Sequence, residues 1–219
     1  IRNVSRDHKK KKTQSAVPAK GAQREAGQDF SFSYHASHHE REWIVDSLGN
    51  FYQMHWFDDV LQLIKGGKEA SVYLCLGNET TQVSHLAAKV YRPRRFRNLR
   101  KDHLYREGRE QLDENGNAIT DDGMQHAMKK RTQYGKQLLH TSWIEHEVKT
   151  MQVLKQAGAD VPAIFASGNN AILMSYIGEA AMPAPALNEV DLDPGEARQL
   201  FERVLRSEER RVGEEVMAR

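Results

Sequence analysis

The stretch KGGKEASVYLC, Lys65–Cys75, sets two glycines before a Lys-Glu pair and then runs straight into β-favouring residues. Glycine there serves either a phosphate-binding turn between two strands or a hairpin that needs a residue without a Cβ. A Walker A loop requires Gly-x-x-x-x-Gly-Lys followed by Ser or Thr; here Glu69 follows Lys68, and the first glycine of that spacing is missing. The Gly-x-Gly-x-x-Gly loop of ordinary protein kinases is absent too. The turn alone identifies nothing, and its neighbours decide.

Downstream, ASVYLCLG and SHLAAKVYR are β-rich runs joined by the polar NETTQ, a hairpin pattern. Lys89 lies within AAKVY, on a strand whose other residues belong in a core. A charge there is costly unless paired. It is either an edge-strand lysine pointing to water or a lysine held inward for an anion by a carboxylate. Upstream, EREWIVDSLGNFYQMHWFDDVLQLI places apolar residues at helical spacings and reads as two short helices broken near Gly49-Asn50.

The region from Arg92 to about Ser142 is long and polar; it opens with Arg92, Arg94, Arg95, Arg97 and Arg100 and reads as a mobile insert. SWIEHEVKTMQVLKQAG then predicts a helix with Ser142 as N-cap, a stripe of Ile144, Val148, Met151 and Leu154, and Gly158 as its stop. VPAIFASGNNAILMSYIGE supplies two more strands around an Asn-Asn turn. In DPGEARQLFERVL, Asp193 caps a last helix with Pro194 at its first position. The order is helices, hairpin, insert, helix, hairpin, helix, an α+β arrangement with an antiparallel sheet.

A glycine turn, a strand lysine, a helix glutamate and a strand pair leading to a hinge follow the order of a protein-kinase N-lobe. With GGKEASVY, AAKVYRPRRFRN, the SWIEHEV helix through MSYIG, and PAPALNEVDL, the chain resembles the RIO family of atypical serine/threonine protein kinases, nearest its RIO1-type branch, over roughly Glu40 to Leu205. The resemblance implies a kinase-like N-lobe with an αC-type helix, a hinge and the start of a C-lobe, binding ATP with Mg²⁺. It implies that Gly66, Gly67, Lys68 and Ser71 cover the phosphates, and that Lys89 meets the α and β phosphates. Glu147 is then the partner of Lys89, with Glu145 its rival. Met174 stands behind adenine, and Ser175 and Ile177 offer it backbone groups. The family commonly has Glu-Phe where Ser175-Tyr176 stands, so no glutamate side chain serves there. Family members commonly act in maturation of the small ribosomal subunit.

The domains expected are a disordered basic arm at 1–39, the N-lobe at 40–178 with its insert at about 92–142, and the hinge exit with a first C-lobe helix at 179–205. The family's catalytic loop reads His-Gly-Asp-Leu, and none of the ten histidines is followed by Gly or Arg. No catalytic-loop Asp or Asn, and no metal ligand, is therefore assigned. The stripe of Ala197, Leu200, Phe201, Val204 and Leu205 stops at Leu205. Arg206–Gly213, RSEERRVG, matches the translation of a common sequencing-adapter sequence. Residues 206–219 are read as a non-native tail after a truncated N-terminal fragment, with a frayed or aggregation-prone end.

Composition bounds the alternatives. At 219 residues with 39% hydrophobic and 28% charged residues, the chain has material for a core. It has no apolar run of about 18–20 residues and no signal peptide, and is read as cytoplasmic. Its single cysteine, Cys75, excludes an internal disulfide framework. The net charge of +2 conceals a basic first 25 residues, poor in apolar side chains, which suit a solubilising tail or an arm meeting RNA. The rival reading is therefore a non-catalytic RNA- or ribosome-binding module in which Lys89–Glu147 is only structural. DENGNAITDDG lacks the closing Glu of a calcium loop and reads as a polar turn. HASHHE, with His35, His38 and His39, lacks the cysteines of a structural zinc site.

Overall fold

The computed structural model describes residues 30–92 and 109–217; the basic stretch 1–29 and the arginine-rich start of the insert, 93–108, lie outside it. Helix α1 spans His38–Gln53 and is followed by three antiparallel strands, β1 Asp59–Gly66, β2 Ala70–Leu76 and β3 His85–Tyr91. Helices α2 (Asp122–Lys129) and α3 (Gln133–Gln156) follow, then β4 (Ile164–Gly168) and β5 (Ala171–Ser175). The sheet order is β1-β2-β3-β5-β4, so β5 inserts between β3 and β4. A two-stranded ribbon, β6 Gly178–Glu179 with β7 Met182–Pro183, leads through a 3-10 turn at Leu187–Glu189 to helix α4, Pro194–Met217.

Strand alternation divides the core. Tyr73, Cys75, Leu86, Ala88, Val90, Ala171 and Leu173 point to one face, where they pack with Ile44, Leu48 and Phe51 of α1. Tyr91 and Ile172 point to the other, against Ile144 and Val148 of α3. Burial pushes the Cys75 thiol pKa upward, as suits an inert core sulfur. The core also reaches back further than Glu40: Phe30, Phe32 and Tyr34 pack against it. Glu40 accepts hydrogen bonds from Tyr34 and Tyr73 at 3.3 and 2.8 Å, tying α1 to β2.

Three expectations are corrected. The α1 segment is one helix through Gly49, because Ile44, Leu48, Phe51 and Tyr52 form one continuous buried face and Gly49 has only open space beside it. The supposed second helix is β1. Its register slips between Val60 and Gln62 and between Leu63 and Lys65, and these bulges at Leu61 and Ile64 break the two-residue alternation that marks a strand. The third correction concerns the insert, whose described part is structured. Leu112 and Ala118 form a bridge, Asp113 Oδ1 accepts the Asn115 and Asn117 amides around a polar turn, and α2 follows.

Helix α3 accordingly begins nine residues before Ser142, capped by Thr132, whose hydroxyl accepts the Gly135 amide at 3.0 Å. Ser142 is buried mid-helix, and its hydroxyl accepts from the Leu112 amide at 2.9 Å. A Cβ at Gly135 would stand 1.9 Å from the Ala127 carbonyl oxygen, so glycine lets α3 start against the end of α2. Gly135→Ala is expected to cost roughly 1–3 kcal/mol in urea unfolding. A variant as stable as the parent would show that α2 yields freely.

Asp193 caps α4 as expected: its carboxylate accepts the Gly195 and Glu196 amides, and the Glu196 carboxylate accepts the Asp193 amide at 3.1 Å. The helix continues past Leu205 without interruption to Met217. Phe201, Val204 and Leu205 are exposed, and Arg203 pairs with Asp160 at 2.7 Å. Among the described residues no helix is long and apolar enough to cross a membrane.

Candidate nucleotide site

Lys89 faces α3. Its neighbours across the ladder are Val72 on β2 and Ile172 on β5, and its side chain is 27% exposed, sheltered yet open to a ligand. Lys89 Nζ pairs with Glu147 Oε1. The other glutamate oxygen, Oε2, accepts the Tyr91 hydroxyl at 2.7 Å. Tyr91 lies two residues beyond Lys89, hence on the same face of the strand. Its ring centroid is 5.2 Å from Lys89 Nζ. The carboxylate therefore has a cation on one oxygen and a neutral donor on the other.

Tyr91 is itself anchored on all sides. Its carbonyl accepts from Trp43 Nε1 at 3.1 Å and from the Asn170 carboxamide, and its amide donates to the Asn170 carbonyl at 2.9 Å. Trp143 packs edge-on against its ring at a 4.8 Å centroid distance. One residue thus joins α1, α3 and the β4–β5 turn to the lysine strand. Sequence reasoning missed it, although the spacing of two from Lys89 was the available signal. Tyr91→Phe removes the hydroxyl that bonds Glu147 and should cost about 1 kcal/mol, with Lys89 amine signals broadened in NMR. Unchanged lysine signals would mean that Glu147 holds Lys89 unaided.

Of the two glutamates, Glu147 pairs with Lys89. Glu145 is displaced by 200° around the helix at about 100° per residue, so the two flank the Ile144–Val148 stripe on opposite sides. Glu145 is 8% exposed. Burial, reinforced by the nearby charges of Asp113 and Glu114, pushes its pKa up to about 7, with a Ser167 hydroxyl bond pulling the other way.

The glycine turn links β1 to β2. The Gly67 amide donates to the Ala70 carbonyl at 2.9 Å, and a Cβ on Gly67 would meet that same oxygen at 2.9 Å, so the tight turn needs glycine. Gly66 has only Arg92 Nη2 near, at 3.9 Å from a Cβ placed there. Lys68 is exposed at the tip. Ser71 stands apart: it is 2% exposed and shares with Tyr73 the face opposite Lys89, its hydroxyl reaching the Tyr73 phenol. Its side chain is therefore no part of a lining over phosphates; only its backbone belongs to the turn.

At the other end of the sheet, Met174 pairs with Ala87 and lies on the Lys89 face by alternation. The Ser175 amide donates to the Ala163 carbonyl at 2.8 Å, and its hydroxyl accepts from the Ala163 amide at 3.0 Å. Ile177 is exposed, and its carbonyl accepts from the Ala184 amide at 3.0 Å, holding the ribbon against the strand exit. Lys89 and Met174 thus share one face, with the glycine turn at one end of the sheet and the Ile177 exit at the other.

That arrangement coincides with a match of residues 71–217 to the RIO domain. The chain belongs to the RIO family. The family is kinase-like, and the five-stranded antiparallel sheet with α3 across it is its N-lobe. As a RIO protein the chain falls among ATP-using atypical kinases and ATPases. Among the described residues no group of three His, Cys, Asp or Glu side chains could hold a metal ion. His38 and His39 instead stand on the exposed face of α1, each 3.6–3.7 Å from Glu42.

Proposed function

We propose that this RIO domain, of the RIO1-type branch, binds ATP between the glycine turn, Lys89 and the Met174–Ile177 segment. Such a domain would serve a serine/threonine kinase or ATPase. The observation that carries this reading is Lys89: a lysine flanked by Ala88 and Val90 in the core strand β3, one-quarter exposed, and fixed by a carboxylate held in turn by Tyr91. A purely structural ion pair gains little over apolar packing. A lysine pre-aimed at a ligand's phosphates has a reason to be kept in place.

In this reading Lys89 Nζ supplies positive charge to the α and β phosphate oxygens. Glu147 keeps the ammonium from turning away, and Tyr91 keeps Glu147 from following α3. The Gly66–Gly67 turn approaches the phosphates through backbone amides, Met174 closes the back of the base pocket, and Ser175 and Ile177 meet adenine through the main chain. Mg²⁺ would supply charge neutralisation at the phosphates, and among the described residues no group of three His, Cys, Asp or Glu side chains is placed to hold it.

Transfer to a hydroxyl needs a carboxylate to take its proton. No His-Gly-Asp or His-Arg-Asp occurs in these 219 residues, so we expect nucleotide binding without phosphoryl transfer. Thermal denaturation with increasing ATP tests the reading directly. Saturable stabilisation by ATP that exceeds that by AMP is expected. Indifference to nucleotide, together with salt-sensitive RNA binding, would favour the RNA- or ribosome-binding module instead. A role in small-subunit maturation, within the cytoplasm, rests on the family resemblance and the basic segments.

A further inference from the structure

Opposite the Ser175 end of β5, where β4 turns into β5, a cavity of about 890 Å³ opens between the end of α1, the first half of α3 and the polar turn of the insert. Its size is that of small-molecule and side-chain pockets, roughly 300–1,000 Å³. It lies toward the N-terminal half of α3, and neither Lys89 nor Glu147 lines it.

Three properties of its walls define an occupant. Glu145 lies in the wall at 8% exposure, with the Ser167 hydroxyl beside it and no cation within ion-pair distance among the described residues. A carboxylate so buried gains from an incoming positive charge. Phe51, Met54 and Ile144 form an apolar strip in the same cavity, suited to an aliphatic stem carrying a charged head. Asn50, Gln133, Gln137 and Asn169 ring the rest, and each carboxamide both donates and accepts, matching the N–H and C=O of a peptide.

We propose that this cavity is a second ligand site, taking the arginine or lysine side chain of a peptide, with Glu145 as its anionic anchor. A polyamine offers the same cation but no acceptor for the carboxamide donors. The charges acting on Glu145 are those of Asp113 and Glu114 from the insert turn, while His140 and Lys136 of α3 share the cavity wall with it. His140 Nε2–H donates to Asn170 Oδ1 at 2.6 Å, and Lys136 is exposed. Occupancy by a cation therefore requires Glu145 ionised and strengthens as pH rises from 6 to 8.

The test uses the full chain, isotope-labelled and free of nucleotide, so the outcome is independent of the ATP reading. Acetyl-Gly-Arg-Gly-amide, its norleucine counterpart and spermidine are titrated at pH 6 and 8 while the amide signals of Ser167–Asn170 are followed. Saturable binding of the arginine peptide at pH 8 is expected, at least tenfold tighter than the norleucine peptide and severalfold weaker at pH 6. Glu145→Gln should erase the preference, while Lys89→Ala should leave it intact. Equal binding of the two peptides, no saturation, or an undiminished preference in Glu145→Gln overturns the site. Spermidine binding as tightly as the arginine peptide overturns the peptide assignment.

Discussion

Lys89→Ala should abolish most ATP-dependent thermal stabilisation while leaving a folded protein. A hydrogen bond to a charged group contributes roughly 1.5–3 kcal/mol, so loss of the lysine contact corresponds to about a ten- to hundredfold fall in nucleotide affinity. The variant should fold because Glu147 keeps its bond from Tyr91 at 2.7 Å and is 26% exposed, so water can reach the vacated side. A stability loss of roughly 1–2 kcal/mol is expected, below the 3–5 kcal/mol of a fully buried pair deprived of one member. Calorimetric titration with ATP alongside circular dichroism separates the two effects. An unchanged ATP affinity in folded Lys89→Ala would remove the lysine from the site and leave the ion pair as packing.

Glu145→Gln should raise stability at pH 8 and leave it nearly unchanged at pH 5. In the folded protein burial raises the Glu145 pKa from the ordinary 4.5 to about 7, so between these values the folded state retains a proton that the unfolded chain releases. Stability therefore falls as pH rises through this window, and the loss is complete above about 7. A shift of this size corresponds to about 3 kcal/mol at most. Glutamine keeps the shape, can still bond Ser167 and cannot ionise. Urea unfolding of both proteins from pH 5 to 8 checks this through the difference between them, which cancels every other titrating group. A difference independent of pH would mean that Glu145 ionises freely in the fold.

Much of the sheet could be read from residue order, because β2, β3 and β5 carry β-branched and aromatic runs and the Asn169-Asn170 turn separates β4 from β5. β1 could not. Its bulges at Leu61 and Ile64 convert an alternating strand into a spacing that looks helical. The start of α3 was obscured for a different reason. Ser142 looks like a cap by residue type, but its hydroxyl is used by Leu112, a contact thirty residues away in the chain, while Thr132 does the capping. At the site, Lys89 was legible as a charge out of place. The choice between Glu145 and Glu147 turned on which flank of the Ile144–Val148 stripe faces the sheet, and that depends on the packing of α3 rather than on its periodicity. Ser71 is two residues from Tyr73 and so shares the face that Tyr73 buries, a consequence of strand alternation.

The pairing of β3 with β5 brings Lys89 beside Ile172 and so closes a loop containing the insert, α2, α3 and β4. Closing a flexible loop costs an entropy that grows only logarithmically, about 0.6 kcal/mol for each doubling of its length. A change in the length of that connection should therefore cost little, provided the described ends stay tied by the Arg92 amide to the Glu69 carbonyl and by Leu112 to Ser142. The register that sets Lys89 beside Ile172 is held by the ladder itself, not by the length of chain that joins the two strands.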